Sequence, residues 1–417
     1  MVKKGYKQTE VGVIPEDWNI STLETQYNIT SSKRVFQSEW RDSGVPFYRA
    51  REIAVMGEGV PAPKDLYISE KMYVQYSKQY GAIKENDVLI TGVGTLGKVY
   101  VVKKDDRFYF KDGNIIWLQW NGRYSSQFLK QLYRTPVLTD QVFGNAGGST
   151  VPTYTITNAK ATVVPCPAYQ EQCDIAEVLS DTDELIATIE KQIAKKRAIK
   201  QGTMQELLTG NRRLPGFSGE WSKCKLGSLG ALLKGTGISR NDSNSGNLPA
   251  VRYGELYTKH RNYVNSYFSH ISKEVASNAQ RVYRGDILFA ASGETKEDIG
   301  KCSAIIYETA AYAGGDILIF RPTAQLDPVF MGTLLNMADA RKQRAEQGQG
   351  DAVVHIHADA LSSISIMIPN IEEQQAIAEI LIGMDKEIEL LERKLEKYRQ
   401  VKQGMMQQLL TGKIRLV

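Results

Sequence analysis

The residues from Gly92 to Lys98, GVGTLGK, carry the spacing most suggestive of chemistry in this 417-residue chain. Gly92, Gly94 and Gly97 satisfy GxGxxG, and with Lys98 the segment nearly satisfies GxxxxGK[ST]. Both patterns hold phosphate only when a strand enters the loop and a helix leaves it, so that loop amides and the helix N-terminus converge on the anion. Here KVYVVKK follows, a strand pattern, and Val99 stands where a hydroxyl would ligate magnesium. The segment reads as a glycine-rich β-turn, either a plain tight hairpin or one whose amides and Lys98 meet a nucleic-acid phosphate.

Other reactive constellations are weaker. His355 and His357 alternate on an expected strand and so share a face, but no third metal ligand lies near them. The Asn/Asp/Ser-Pro-Pro-aromatic tetrad of amino-methylating enzymes is absent, because the chain contains no Pro-Pro. No nucleophile–base pair or nuclease-type carboxylate cluster stands out. The expectation is a chain that recognises and does not react, with no catalytic, cofactor-binding or metal-binding residues of its own. A net charge of +5 permits binding to a polyanion without requiring it. Four scattered cysteines fit a reducing compartment, and the polar start MVKKGYKQTEVGVIPEDW has no leader-like apolar stretch. No run is long and apolar enough for a bilayer, so a cytoplasmic location without membrane association is expected.

What positions these residues is a duplication. EQCDIAEVLSDTDELIATIEKQIAKKRAIKQGTMQELLTGNRRL, Glu171 to Leu214, aligns without a gap on Glu373 to Leu416, and about half of the aligned residues are identical, including the tail KQGxMQxLLTG. The first copy opens after Pro165-Cys166-Pro167, begins acidic through Glu171, Asp174 and Glu177, and ends basic through Lys195, Lys196, Arg197 and Lys200, as a helix dipole favours. Gly210 and Gly412 sit where a left-handed residue stops a helix. In the second copy Ile377, Leu381, Met384, Ile388, Leu391, Leu395 and Tyr398 step four-three, then Met405 and Leu409 resume the stripe. The first copy has the weaker stripe Ile175, Leu179, Thr182, Ile186, Ile189, Ile193 and Leu207. Each helix spans roughly 38 residues, or about 57 Å. The two are expected to pair antiparallel. Gly202 and Gly404 recur inside them at a cost of roughly 1 kcal/mol each, which suggests close helix approach or partner docking.

The segments before each helix are distant copies too. The strand-like VPFYRAREI from Val45 matches LPAVRYGEL from Leu248, NDVLITG matches GDILFAASG, and Gly97-Lys98 matches Gly300-Lys301. Strands are expected over Asp87–Thr91, Lys98–Lys103, Ile115–Gln119 and Ile317–Phe320, and helices over Ser125–Arg134 and Pro328–Glu346. The fold class is therefore α+β: two mostly β domains, 1–168 and 211–369, separated by two long helices, 169–210 and 370–412, that pair as an antiparallel coiled coil with pseudo-two-fold symmetry.

YKQTEVGVIPEDW at the start, GGSTVPTYTI from Gly147, the junctions PCPAYQEQCDIAEVLSDTDE and IPNIEEQQAIAEILIGMD, and the two KQGxMQxLLTG tails resemble the specificity subunit of type I restriction-modification systems. Cys166-Pro167-Ala168 and Pro369-Asn370 replace a more proline-rich junction. The resemblance implies a non-catalytic subunit with two target recognition domains that read a bipartite, asymmetric site in double-stranded DNA. A helical ruler of about 57 Å bounds the spacing between the half-sites to at most roughly 17 base pairs. It also implies partners: two methylation subunits carrying S-adenosylmethionine, and restriction subunits using ATP and magnesium. No cofactor is expected on this chain. Candidate DNA contacts on polar loops are Arg49, Arg51, Thr95, Lys98, Asn145 and Thr150 in the first domain. Those in the second are Arg252, Lys259, Lys301, Arg344, Gln347 and Gln349. Gly202 and Gly404 are candidates for methylation-subunit docking. Two alternatives are a coiled-coil scaffold that never touches DNA and an NTP-dependent enzyme using the Gly92–Lys98 loop.

Overall fold

The computed structural model describes residues 3–144, 152–350 and 353–416. Two compact units divide the chain: Met1–Glu190 with Arg393–Val417, and Lys191–Glu392. The division cuts both long helices, which run Tyr169–Leu207 and Ile371–Leu409. Each unit thus holds one mostly β body, part of one helix and the complementary part of the other.

In the first unit an antiparallel sheet has the spatial order Asn28–Thr30, Ile115–Gln119, Val88–Thr91, Val99–Val101. Its central strands are continuous apolar runs because both faces are covered. Val88, Ile90, Ile116 and Leu118 face a core with Trp18, Phe128, Ile175 and Leu179. Leu89, Ile115 and Trp117 turn the other way, onto Tyr48, Phe108 and Phe110. A second sheet, Tyr67–Ile68, Val45–Tyr48, Tyr109–Phe110, ends in a parallel pairing.

The second unit repeats this plan. Its sheet runs Gly230–Lys234, Ile317–Pro322, Ile287–Ala290, Cys302–Ile305, Tyr263–Val264, the last pair parallel. Ile287 and Phe289 face one core, Leu288 and Ala290 the other. Its smaller sheet, Ser269–Ile271, Leu248–Val251, Ala311–Ala313, Gln280–Val282, again contains one parallel pairing, Leu248–Val251 with Ala311–Ala313.

Three local expectations need correction. VPFYRAREI is a strand only to Tyr48; Ala50–Gly57 is a helix, because the Glu52 carboxylate accepts the Arg49 amide at 2.9 Å and caps it. Glu255 does the same for Arg252 at 3.1 Å before the helix Tyr253–Thr258. The helix expected over Pro328–Glu346 is two, Pro328–Leu334 and Ala338–Gln347, broken where Met337 is extended (φ −69°, ψ 160°). His357 lies outside the strand Val354–His355, at the residue that precedes the helix Ala358–Ser363, so the two histidines do not share a strand face.

The stripes read from the long helices are their packed faces. In the first unit Ile175, Leu179 and Ile189 are buried, as are Leu395 and Leu409. Asp183 pairs with Lys402, and Glu190 with Arg399 at 2.6 Å. Ascending numbers on one helix meet descending numbers on the other, so these segments are antiparallel. In the second unit Lys196 meets Glu387 at 2.6 Å, Lys200 meets Asp385, and Ile377, Leu381 and Ile388 are buried.

Each helix start is locked by the tail of the other helix. Glu171, 2% exposed, accepts Arg415 Nη2 at 2.8 Å and Trp18 Nε1 at 3.1 Å. Arg415 also grips Asp17 through two bonds of 2.9 Å and lies 5.7 Å from the Trp18 ring centroid. In the second unit Arg213 makes two bonds of 2.6 Å to Glu373 and lies 5.8 Å from the Trp221 ring centroid. The arginines reach these carboxylates because each tail turns at a left-handed glycine, Gly210 (φ 71°) or Gly412 (φ 66°). At Gly412 an added Cβ would stand 2.5 Å from Pro15, so no other residue fits there. Gly202 and Gly404 differ: a Cβ on either meets no atom within 4 Å. Close helix approach is therefore not their reason.

Arg415→Ala leaves a buried carboxylate without its cation, and is expected to lower the stability measured by urea unfolding by about 3 kcal/mol. Arg212→Ala, which breaks an exposed 3.4 Å pair with Glu206, should change it by less than about 0.5 kcal/mol. Equal losses in the two variants contradict the tail lock. A second expectation concerns acid. Burial pushes the Asp183 carboxyl up, but Lys402 and Arg134 outweigh it and hold its pKa below the ordinary value. A depressed carboxyl favours the folded state above the unfolded pKa of about 4 and loses that contribution as pH falls through its folded pKa. The stability gap between wild type and Asp183→Asn should be widest above about pH 4 and close below it. A gap that is independent of pH removes the charge pairing as its cause.

Candidate nucleic-acid interface

The Gly92–Lys98 segment is a hairpin turn between Val88–Thr91 and Val99–Val101, antiparallel strands. Left-handed Gly94 and Gly97 make the turn, and the Lys98 amide donates to Thr91 Oγ1 at 3.0 Å. No helix follows, so the phosphate-loop reading fails on geometry. Thr95 is exposed at the tip. Lys98 Nζ is 2.6 Å from Glu58, whose carboxyl that ammonium holds below its usual pKa. Both line a cavity of about 630 Å³ with Lys130 and Arg134. Burial lowers the pKa of Lys130, aided by Arg134. Lys98 therefore reaches a phosphate only by exchanging one anion for another.

Arg49 and Arg252 occupy matching places with matching partners. Arg49 Nη2 is 2.9 Å from Glu52, which is 3% exposed, and Arg252 Nη2 is 3.3 Å from Glu255. Burial raises the Glu52 pKa, but the Arg49 guanidinium outweighs it and leaves the carboxyl below its ordinary value. Both arginines therefore hold the start of the short helix that follows each Val45- and Leu248-type strand. Arg51 is exposed. Arg252 and Lys259 line one cavity of about 910 Å³ with Arg240 and Asn244, and Lys259 Nζ lies 5.4 Å from the Phe268 ring centroid.

Gln347 and Gln349 are exposed, Gln349 pairing through its backbone with His355. His355 in turn pairs with Ser292, so this segment stands beside the Ser292–Gly293 strand that leads toward Gly300-Lys301. Lys301 Nζ donates to the Tyr257 carbonyl at 3.0 Å, and burial lowers its pKa. Arg344 corrects the expectation of a polar loop contact: it is 1% exposed, and its guanidinium donates to the carbonyls of Ile299 and Leu335. Its helix turns it inward, against Gly300. Asn145 and Thr150 lie outside the described residues.

The structure thus brings Thr95 to Lys98, Arg252 to Lys259, and Lys301 to Arg344, the last two lining one cavity of about 400 Å³. Sequence reasoning missed Lys130, Arg134, Arg240, Arg261 and Arg341, which line the same three cavities. Lys130 and Arg134 had a signal: four apart in an expected helix, they share a face. Arg341 had the same kind of signal, three residues before Arg344 in an expected helix; Arg240 and Arg261 had none, since each depends on what distant chain places beside it. Among the described residues no helix is long and apolar enough to cross a membrane.

These paired bodies have close counterparts elsewhere. The sequence profile of the family described as "Type I restriction modification DNA specificity domain" matches twice, at residues 15–197 and 218–399. The type I restriction enzyme MjaVIII specificity subunit of Methanocaldococcus jannaschii is 24% identical over 439 residues, covering 99% of this chain and 97% of that protein. The fold resembles the type I restriction-modification S subunit from M. genitalium, with a TM-score of 0.62 at 13% identity, covering 94% of this chain and 96% of that one. A chain from a structure on complex assembly and conformational transition of the type I R-M system gives a TM-score of 0.53 at 15% identity, covering 96% and 99%. With both halves matched by one profile and the same duplicated scaffold in its structure, the chain belongs to the type I restriction-modification DNA specificity family, as a specificity subunit that recognises DNA sequence.

Proposed function

We propose that this subunit reads a bipartite, asymmetric target in double-stranded DNA, each recognition domain taking one half-site. The domains assigned to this work are 1–168 and 211–369, with 169–210 and 370–412 as the spacers. The observation that carries the reading is one scaffold built twice with different side chains at its loops. Asp87 and Asp286 immediately precede matched central strands, yet Thr95 and Lys98 in one unit face Glu58, Lys130 and Arg134, where the other gathers Arg261, Lys301 and Arg344. Equal frames with unequal edges suit half-sites of unequal sequence.

The chemistry is assigned to partners. In this reading two methylation subunits bring S-adenosylmethionine and modify adenine, and restriction subunits supply ATP- and magnesium-dependent cleavage, in the cytoplasm. The chain itself holds no active site and no cofactor. Gly202 and Gly404, with open space where a Cβ would stand, suit a flat contact with a methylation subunit.

Four outcomes follow from these assignments. Co-expression with the neighbouring methylation subunit should create a new bipartite adenine-methylation motif with a constant gap, read by base-resolved sequencing of the host genome. An assembled complex that methylates nothing new favours a scaffold without DNA recognition. Lys98→Gln should weaken duplex binding across sequences and reduce the slope of log affinity against log salt by about one; an unchanged slope removes Lys98 from the interface. Gly202→Ala should raise the stability of the isolated chain by about 1 kcal/mol, as expected for an unobstructed helix position. Gly202→Trp should weaken methylation-subunit binding in a sizing or calorimetric assay, and full binding by that variant removes the docking assignment.

A further inference from the structure

The second unit contains a buried cation with no anion of its own. Arg344 is 1% exposed, and its Nε and Nη1 donate only to backbone carbonyls, those of Ile299 (3.3 Å) and Leu335. It has no ion pair with any described residue. Carbonyl dipoles satisfy hydrogen bonds without neutralising charge, so a desolvated guanidinium in this state is held at an electrostatic cost. The fold makes room for it: Gly300 is left-handed (φ 69°), and a Cβ there would lie 2.6 Å from Arg344 Cδ.

Arg344 lines a cavity of about 400 Å³ whose other walls are also cationic. Arg261 makes no side-chain hydrogen bond to a described residue, and Lys301 is bound only to the Tyr257 carbonyl at 3.0 Å. Arg341 reaches the cavity's one carboxylate, Asp298, at 3.5 Å. Lys200, from the first long helix, already pairs with Asp385. Cations are thus in excess over anions.

The duplicated first unit serves as an internal control. Gly97 and Lys98 match Gly300 and Lys301, and the same offset puts Glu58 where the second unit has Arg261; the offset of the long helices puts Val142 where it has Arg344, and Val142 and Arg344 each lie against the matched glycine. Glu58 neutralises Lys98 at 2.6 Å, and Val142 is a buried apolar side chain beside Gly97. One position is self-paired; the other has exchanged an acid and a valine for two arginines.

We propose that the cavity bounded by Arg261, Lys301, Arg341 and Arg344 binds a phosphoryl anion, anchored on the inward Arg344 and closed by the more exposed Arg261. Guanidinium forks match the oxygens of a tetrahedral phosphate, and several converging donors suit it better than a carboxylate, which has two oxygens. The group is either a backbone phosphate of bound DNA or a free phosphate or phosphomonoester.

The test titrates the full-length chain with inorganic phosphate at constant ionic strength, by calorimetry and ³¹P line broadening. One saturable site is expected. Arg261→Glu, which installs the acid of the first unit, should weaken it by about tenfold or more. Arg344→Met, checked for native helix content by circular dichroism, should weaken it likewise, and Arg212→Ala, at the exposed pair with Glu206, should leave it unchanged. Absence of saturable binding overturns the proposal, and so does wild-type binding by folded Arg261→Glu. Adding duplex DNA that contains the methylated motif assigns the source: release of phosphate identifies a backbone site, and retention identifies a free ligand. Since the first titration uses no DNA, its failure is separate from failure of the sequence-reading role.

Discussion

Two buried carboxylates, one at the start of each long helix, set the terms for the rest of the molecule. Glu171 and Glu373 are almost wholly withdrawn from water, and each is compensated by an arginine some distance away in sequence, Arg415 and Arg213. A buried carboxylate tolerates no missing partner. Each unit therefore needs chain from both copies of the duplicated segment: a body, the helix that leaves it, and the returning tail. The repeated LLTG turn brings the arginine back across the tryptophan, and Gln172 and Gln374 brace the junction by bonding Pro167 and Pro369 carbonyls at 3.0 and 2.9 Å. Between these locks the helix segments meet through apolar stripes flanked by acid–base pairs, so that charge reinforces an alignment already required by burial.

Such closure leaves the sheet edges and turns free to diverge. Asp87 and Asp286 show where divergence stops and starts. Both immediately precede a central strand and are buried at 2% exposure, yet Asp87 accepts the Trp117 indole at 2.8 Å where Asp286 accepts Arg321. The carboxylate is retained as an acceptor for the preceding turn, while its side-chain partner changes character. Farther out the exchange of Glu58 for Arg261 and of Val142 for Arg344 alters charge without altering the strand that carries Lys98 or Lys301. A scaffold whose hydrogen bonds are backbone and whose core is apolar can keep its shape while its loops change what they recognise. That separation is what a DNA-reading subunit requires.

The candidate interface was only partly legible in the chain. Lys98 and Thr95 stand on a turn, as glycine spacing and a following strand pattern required. Arg49 and Arg252 were aligned correctly on each other, but an alignment says nothing of what a guanidinium grips, and both are held by a glutamate three residues on. Arg344 was counted among the loop contacts although it falls within the helix expected over Pro328–Glu346; the helix Ala338–Gln347 turns it toward Gly300. Lys130 and Arg134 were overlooked although their spacing puts them on one helical face.

Residue order by itself determined the duplication, the apolar stripes of the two helices, their glycine-terminated tails and the failure of the phosphate-loop pattern. Each of these follows from local periodicity or from backbone preferences that act within a few residues. Tertiary structure alone decided where the chain divides into units, which cations are already neutralised, that Pro328–Gln347 bends into two helices, and that Gly202 and Gly404 face open space. Those outcomes depend on partners brought together across large separations in the chain. Burial and electrostatic pairing act between residues adjacent in space, and the spacing of letters in the chain does not specify that adjacency.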